Sequence, residues 1–161
     1  MMNFFRNIVL FFLVLVLFSA CFVFRPSKQI QQARTVDAIR DLGTAIEAYK
    51  LNNDRYPVLT SGHVSELESE LVPRYLRKLR DTDGWGAGIE YYCSKPEGPY
   101  YIISLGSDKE RDVGLYQTDR FPSGLGFKEI SNIREDIIFS NGVFVRYPRG
   151  TQLRHLAQKT Q

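Results

Sequence analysis

The spacing of apolar positions changes along this chain, and each change marks an element. From Ile8 to Phe24 the run IVLFFLVLVLFSACFVF carries no charge and sits at the short limit of the roughly 17–25 residues that a spanning helix needs. Across SKQIQQARTVDAIRDLGTAIEAYK the apolar residues Ile30, Ala33, Val36, Ile39, Leu42, Ile46 and Tyr49 recur at helical spacing. Gln32, Arg34, Arg40, Asp41, Glu47 and Lys50 fall on the opposite face. This predicts an amphipathic stalk helix over 27–51, with Pro26 and Ser27 at its first turn or at a kink. Asn52-Asn53-Asp54 ends it, because these side chains bond their own backbone and tolerate left-handed conformations, and Pro57 then pushes Tyr56 into extended geometry. The stretch SGHVSELESELVPRYLRKL predicts a short helix with Val64, Leu67 and Leu71 on one side, ended by Pro73, and His63 as an exposed turn residue. DTDGWGAG is a turn cluster around the only tryptophan. Strands are predicted at Ile89–Cys93, at Tyr100–Leu105, and in a hairpin, DIIF-SNG-VFVRY, turned at Asn141-Gly142. The expected fold is α+β: a long N-terminal helix, part membrane anchor and part amphipathic stalk, packed on a small antiparallel sheet. The expected division is 1–26 membrane anchor or lipoprotein signal, 27–51 stalk and 52–161 globular head.

Charge and cysteines change this picture only at its ends. The formal net charge is +3, and basic and acidic residues alternate along most of the chain, so no nucleic-acid surface is expected. After Asp136 there is no acid, while Arg146, Arg149, Arg154 and Lys159 remain. These form a solvated basic tail or a patch for anionic lipid headgroups. Arg6 on one side of the apolar run is balanced by Arg25 and Lys28 on the other, so the positive-inside rule barely orients it. Leu17-Phe18-Ser19-Ala20-Cys21 also resembles a lipoprotein cleavage site, which would make Cys21 a lipidated terminus. Apolar Phe22-Val23-Phe24 continues past it, which favours a retained anchor. Cys93, in a predicted strand and without Cys or His neighbours, reads as a small buried hydrophobe.

The apolar helix continuing as a stalk, then AIEAYKLNNDRYP, a short helix, YLRKLRDTDGWG and YYIISLGSDKE, together resemble the major pseudopilin of the type II secretion system. The resemblance covers roughly residues 30 to 112 in linear order. It implies the type IV pilin-like fold, a single-pass inner-membrane position with the head on the periplasmic side, and partnership with other pilin-like subunits or secretion-apparatus proteins. It also implies calcium in the loop SLGSDKERD, where the Leu105 carbonyl, Ser107, Asp108 and Asp112 would supply oxygens, with Asp119 more distant. The alternative for the same loop is a solvated run of alternating charge, since Lys109 and Arg111 stand where family members carry glycines. Two further departures lie upstream: no glycine precedes a Phe-Thr-Leu-x-Glu start, and no acid precedes Asp37. Asp83-Gly84-Trp85-Gly86 replaces the family's Asp-Pro-Trp-Gly, a mild change.

The first functional expectation is therefore a structural subunit acting by assembly. The second is an anchored or lipidated extracytoplasmic binding module that does not polymerise. Enzymatic chemistry is not expected: the two histidines, His63 and His155, lie in a turn and a tail, and no nucleophile elbow, phosphate loop or metal-binding His pair occurs. Asp81, Asp83 and Glu90 read as scattered, solvent-facing acids.

Overall fold

The structure is a computed structural model that describes residues 26–112 and 126–151. The apolar run with Cys21, the more distant Asp119, and the tail from Gln152 onward lie outside the described residues. Among the described residues no helix is long and apolar enough to cross a membrane.

The stalk helix α1 spans Lys28–Asn53. Ser27 takes extended geometry and its hydroxyl accepts the Ile30 N–H at 3.4 Å, an N-cap that satisfies one of the orphan amides of the first turn. At the other end Asp54 adopts φ +56°, and the Asn53 side chain donates to the Tyr49 carbonyl at 2.8 Å, so the polar turn does terminate the helix.

β1 (Leu59–His63) leads into a 3-10 turn (Val64–Leu67) and a single-turn helix α2 (Glu68–Leu71). Val64, Leu67 and Leu71 are buried together, as their spacing predicts, while His63 is exposed. The sheet continues with β2 (Glu90–Cys93), β3 (Tyr100–Ser104), β4 (Lys128–Ile130), β5 (Ile137–Ser140) and β6 (Val143–Pro148), in the order β1-β2-β3-β5-β6-β4. Asn141 and Gly142 both have positive φ at the β5–β6 turn, the geometry that Asn-Gly favours in a hairpin. One pair departs from the antiparallel sheet expected: β4 runs parallel to β6, with Lys128 opposite Arg146, so the sheet is mixed. Neither β1 nor β4 shows apolar alternation, and both escape a pattern-based reading.

α1 lies on one face of the sheet. Val36, Ile39, Leu42, Ile46 and Tyr49 pack with Tyr91, Tyr100, Ile102, Ile137 and Phe139 in the main core. Strand alternation puts Tyr101, Ile103 and Ile138 in a second, smaller cluster on the opposite face. The burial of α1 is wider than the apolar stripe. Thr35, Ala38, Gly43 and Ala45 are also buried, and a Cβ on Gly43 would overlap the Phe139 ring. Ile30 and Ala33, by contrast, are exposed. Ile46 is fully buried, so Ile46→Val should lower the unfolding free energy by about 0.5–1.5 kcal/mol. Urea denaturation reads this; an unchanged midpoint would detach Ile46 from the core.

Candidate functional site

The residues that resemble a family motif form three joints in the structure, and all three tie α1 or the acidic loop to the sheet. The first is at the end of the helix. Glu47, on the polar face of the stalk pattern, is half-buried: it accepts the Tyr100 hydroxyl at 2.8 Å and the Tyr56 hydroxyl at 3.2 Å. Burial, then the Glu47 charge and the bond to it, push the Tyr56 phenol up to about 12, with the Lys50 ammonium 4.4 Å from its ring centroid. Burial pushes Tyr100 up further. Asn53 donates to the Tyr75 hydroxyl at 3.0 Å, and the Tyr91 hydroxyl donates to the Pro57 carbonyl at 2.9 Å. The Asn-Asn-Asp turn and Tyr-Pro thus lock the helix end to both α2's exit and β2.

The second joint is the DGWG turn. Asp83, expected to face solvent, is buried. One carboxylate oxygen accepts the Trp85 and Ala87 N–H groups, each at 2.9 Å, and the other accepts the Ser104 hydroxyl at 2.7 Å. The Gly84 N–H donates to the Thr35 hydroxyl oxygen at 2.9 Å, and that hydroxyl donates to the Gln31 carbonyl at 3.0 Å. Arg80 forms an ion pair with Asp41 of α1. Glu90, the other acid near this turn, pairs with Arg111 at 2.8 Å.

The third joint is the loop Leu105–Asp112. Gly106 has φ +70°, and any Cβ there would fall on the Arg134 carbonyl oxygen, so the loop lies directly on the turn between β4 and β5. The Ser107 N–H donates to the Ile133 carbonyl at 2.9 Å, and Leu105 packs against the second cluster. Asp108 is exposed and accepts the Glu110 N–H at 3.3 Å. Asp112 points elsewhere: its backbone N–H and carboxylate exchange bonds with Asp136, at 3.2 and 3.1 Å, and its carboxylate lies 3.0 Å from the Arg146 guanidinium. The structure therefore engages Leu105, Ser107 and Asp112 with different partners and leaves Asp108 exposed. Among the described residues no three His, Cys, Asp or Glu side chains are grouped as metal ligands.

Arg146 is not part of a basic tail, as its place in the sequence suggests. It is buried in β6 and also meets Glu135 at 3.0 Å. Glu135 accepts the Ser131 N–H and hydroxyl and the Asn132 N–H, and pairs with Lys128. Burial pushes its carboxyl up, but the bonds from Lys128, Ser131 and Asn132 outweigh that and hold it down to about 2. A depressed folded pKa stabilises the fold above the ordinary value of 4.5, and the contribution is lost as pH falls from there to about 2. Glu135→Gln should cost about 1–2 kcal/mol near neutrality, allowing for solvent screening, with the gap to the parent closing over that acid window. Chemical denaturation at a series of pH values tests this; a gap constant with pH would contradict it.

Sequence reasoning missed Thr35, Asp83, Glu135, Asp136 and Arg146. A signal existed for Asp83, an acid two residues before the turn's tryptophan in a Gly-rich stretch.

An α1 helix laid on a mixed sheet, with its loops held by internal carboxylates, defines an α+β head whose polar groups mainly fasten structure. The family model for type II secretion system (T2SS) protein G matches residues 23–119, and the chain belongs to that family. A relative from Pectobacterium carotovorum subsp. carotovorum, type II secretion system core protein G, is 29% identical over 106 residues, covering 58% of this chain and 67% of the relative.

Proposed function

We propose that this chain is a pseudopilin-like structural subunit of a type II secretion or type IV pilus-like apparatus, acting by assembly with other pilin-like subunits. The observation that carries the proposal is the unequal cover of α1. Between Thr35 and Tyr49 one face of the helix is buried against its own sheet, while Ile30 at 49% and Leu51 at 83% remain exposed. Beside Leu51 a largely apolar groove of about 340 Å³ runs between α1 and the β5–β6 hairpin, lined by Gly43, Phe139, Val143 and Phe144 among others. Rigid joints and uncovered apolar positions on the same helix suit a part that works by packing and not by catalysis. In this reading 1–26 anchors the chain as a single inner-membrane pass, 27–51 is the stalk, and 52–161 is the periplasmic head, in the bacterial cell envelope.

No acid lies between Arg6 and Asp37, so an apolar helix packed among copies of itself would bury Arg6 without a counter-charge from that segment, at a cost of several kcal/mol. The protein alone is therefore expected to form no long homopolymer and to assemble with other pilin-like subunits. Photo-crosslinkers at Ile30 and Leu51 in native membranes test the proposal. Adducts with other pilin-like subunits are the expected result; a soluble protein, or membranes giving no such adducts, would remove it. Labelled palmitate lost on Cys21→Ser would support the anchored, non-polymerising binding module instead.

A further inference from the structure

The loop Leu105–Asp112 needs a positive charge to hold it, because Asp112, Glu135 and Asp136 converge where the loop meets the β4–β5 turn. A calcium ion is one solution; it requires six to eight oxygen ligands, most often with carboxylates among them. Among the described residues the donor set does not fit that demand. One Asp112 carboxylate oxygen already accepts the Asp136 N–H and the Arg146 guanidinium, and Asp108 is exposed. A dication drawn to Asp112 would sit beside a guanidinium only 6% exposed, where the repulsion between them is poorly screened.

We propose that the Arg146 guanidinium is the built-in cation of this loop, clamping Asp112 to Glu135 and ordering Leu105–Asp112 without calcium. Arg146 is well placed for the task. Its backbone is paired on both sides, to β4 at Lys128 and to β5 at Ile138, which anchors the base of the side chain within the sheet. One of its terminal nitrogens lies 3.0 Å from Asp112 and 3.0 Å from Glu135, joining the end of the loop to the turn beneath it. Glu135 is in turn positioned by Ser131 and Asn132, so the receiving carboxylate is also rigid. A flexible loop gains most order from partners that are themselves pre-organised. The inference is independent of how the subunit assembles, since it concerns contacts within one chain.

The loop carries its own reporters. Lys109, exposed, and Arg111 are trypsin sites within it. The full chain is digested briefly with trypsin in calcium and in EGTA, and its thermal unfolding is followed in both. The expected result is equal cleavage at Lys109 and Arg111 and an unchanged Tm in the two buffers. Arg146→Met and, more mildly, Asp112→Asn should be cleaved there roughly tenfold faster or more, since cleavage tracks the population of the open loop. Calcium that raises the Tm of the parent chain, or EGTA that speeds its cleavage in the loop, would overturn the proposal. So would Asp112→Asn cleaved at the parental rate. If Arg146→Met does not fold, Asp112→Asn and the calcium comparison on the parent chain still decide.

Discussion

Asp83→Ala is expected to lower the unfolding free energy of the head by about 3–5 kcal/mol, because it leaves three donors without their acceptor. Asp83 is 7% exposed and accepts the Trp85 and Ala87 amides and the Ser104 hydroxyl. Alanine removes every one of these acceptors at once. Ser104 is fully buried in β3, and the two amides belong to a turn packed beneath α1, so water reaches the abandoned donors poorly. Each unsatisfied buried group costs about 1–3 kcal/mol, which accounts for the size of the total. Asp83→Asn keeps the shape but turns one acceptor into a donor, and its loss should fall between that of alanine and the parent. Denaturant midpoints for the three proteins test the order. Equal midpoints for Asp83→Ala and the parent would mean that the turn is held by something other than this carboxylate.

This network also marks the limit of what the sequence conveys. The helix, its stop at Asn52-Asn53-Asp54, the short helix with Val64, Leu67 and Leu71, and the Asn141-Gly142 hairpin all leave local traces, because period and turn chemistry act over a few neighbouring residues. The observed α1 runs two residues past the expected end, to Asn53, which the Asn53 bond to the Tyr49 carbonyl explains. Thr35, Glu47 and Arg146 leave no such trace. Thr35 interrupts the apolar spacing and is buried because the DGWG turn folds back onto α1. Glu47 lies on the polar face of the pattern, yet two tyrosines distant in sequence reach it. Arg146 resembles the tail cations in sequence, and only the parallel pairing of β4 with β6 and the turn carrying Glu135 bury it. In each case the partner lies beyond the few neighbouring residues over which period and turn chemistry act, so spacing around the residue carries no record of it.

Gly84→Pro, which restores the residue of the family pattern, should destabilise this chain by about 2–6 kcal/mol. The exchange looks mild in the sequence, since proline and glycine both suit turns. The structure gives two reasons against it. Proline has no N–H, and the Gly84 N–H is the group that bonds the fully buried Thr35 hydroxyl oxygen. Losing a bond to a buried polar group costs about 1–3 kcal/mol. The second reason is space: any Cβ at position 84 would fall on the Gln31 carbonyl, which is helix backbone and cannot swing aside as a side chain can. Overpacking of that kind costs about a further 1–3 kcal/mol, as turn and helix shift apart. Gly84→Ala separates the two, because alanine keeps the N–H and suffers only the overlap. Thermal unfolding should therefore rank the parent above Gly84→Ala and Gly84→Ala above Gly84→Pro. In a Thr35→Val background the proline and alanine variants should converge, because the hydroxyl that the N–H serves is gone. A Gly84→Pro protein as stable as the parent would show that the turn does not press on α1 at Gln31 and that Thr35 is buried for another reason.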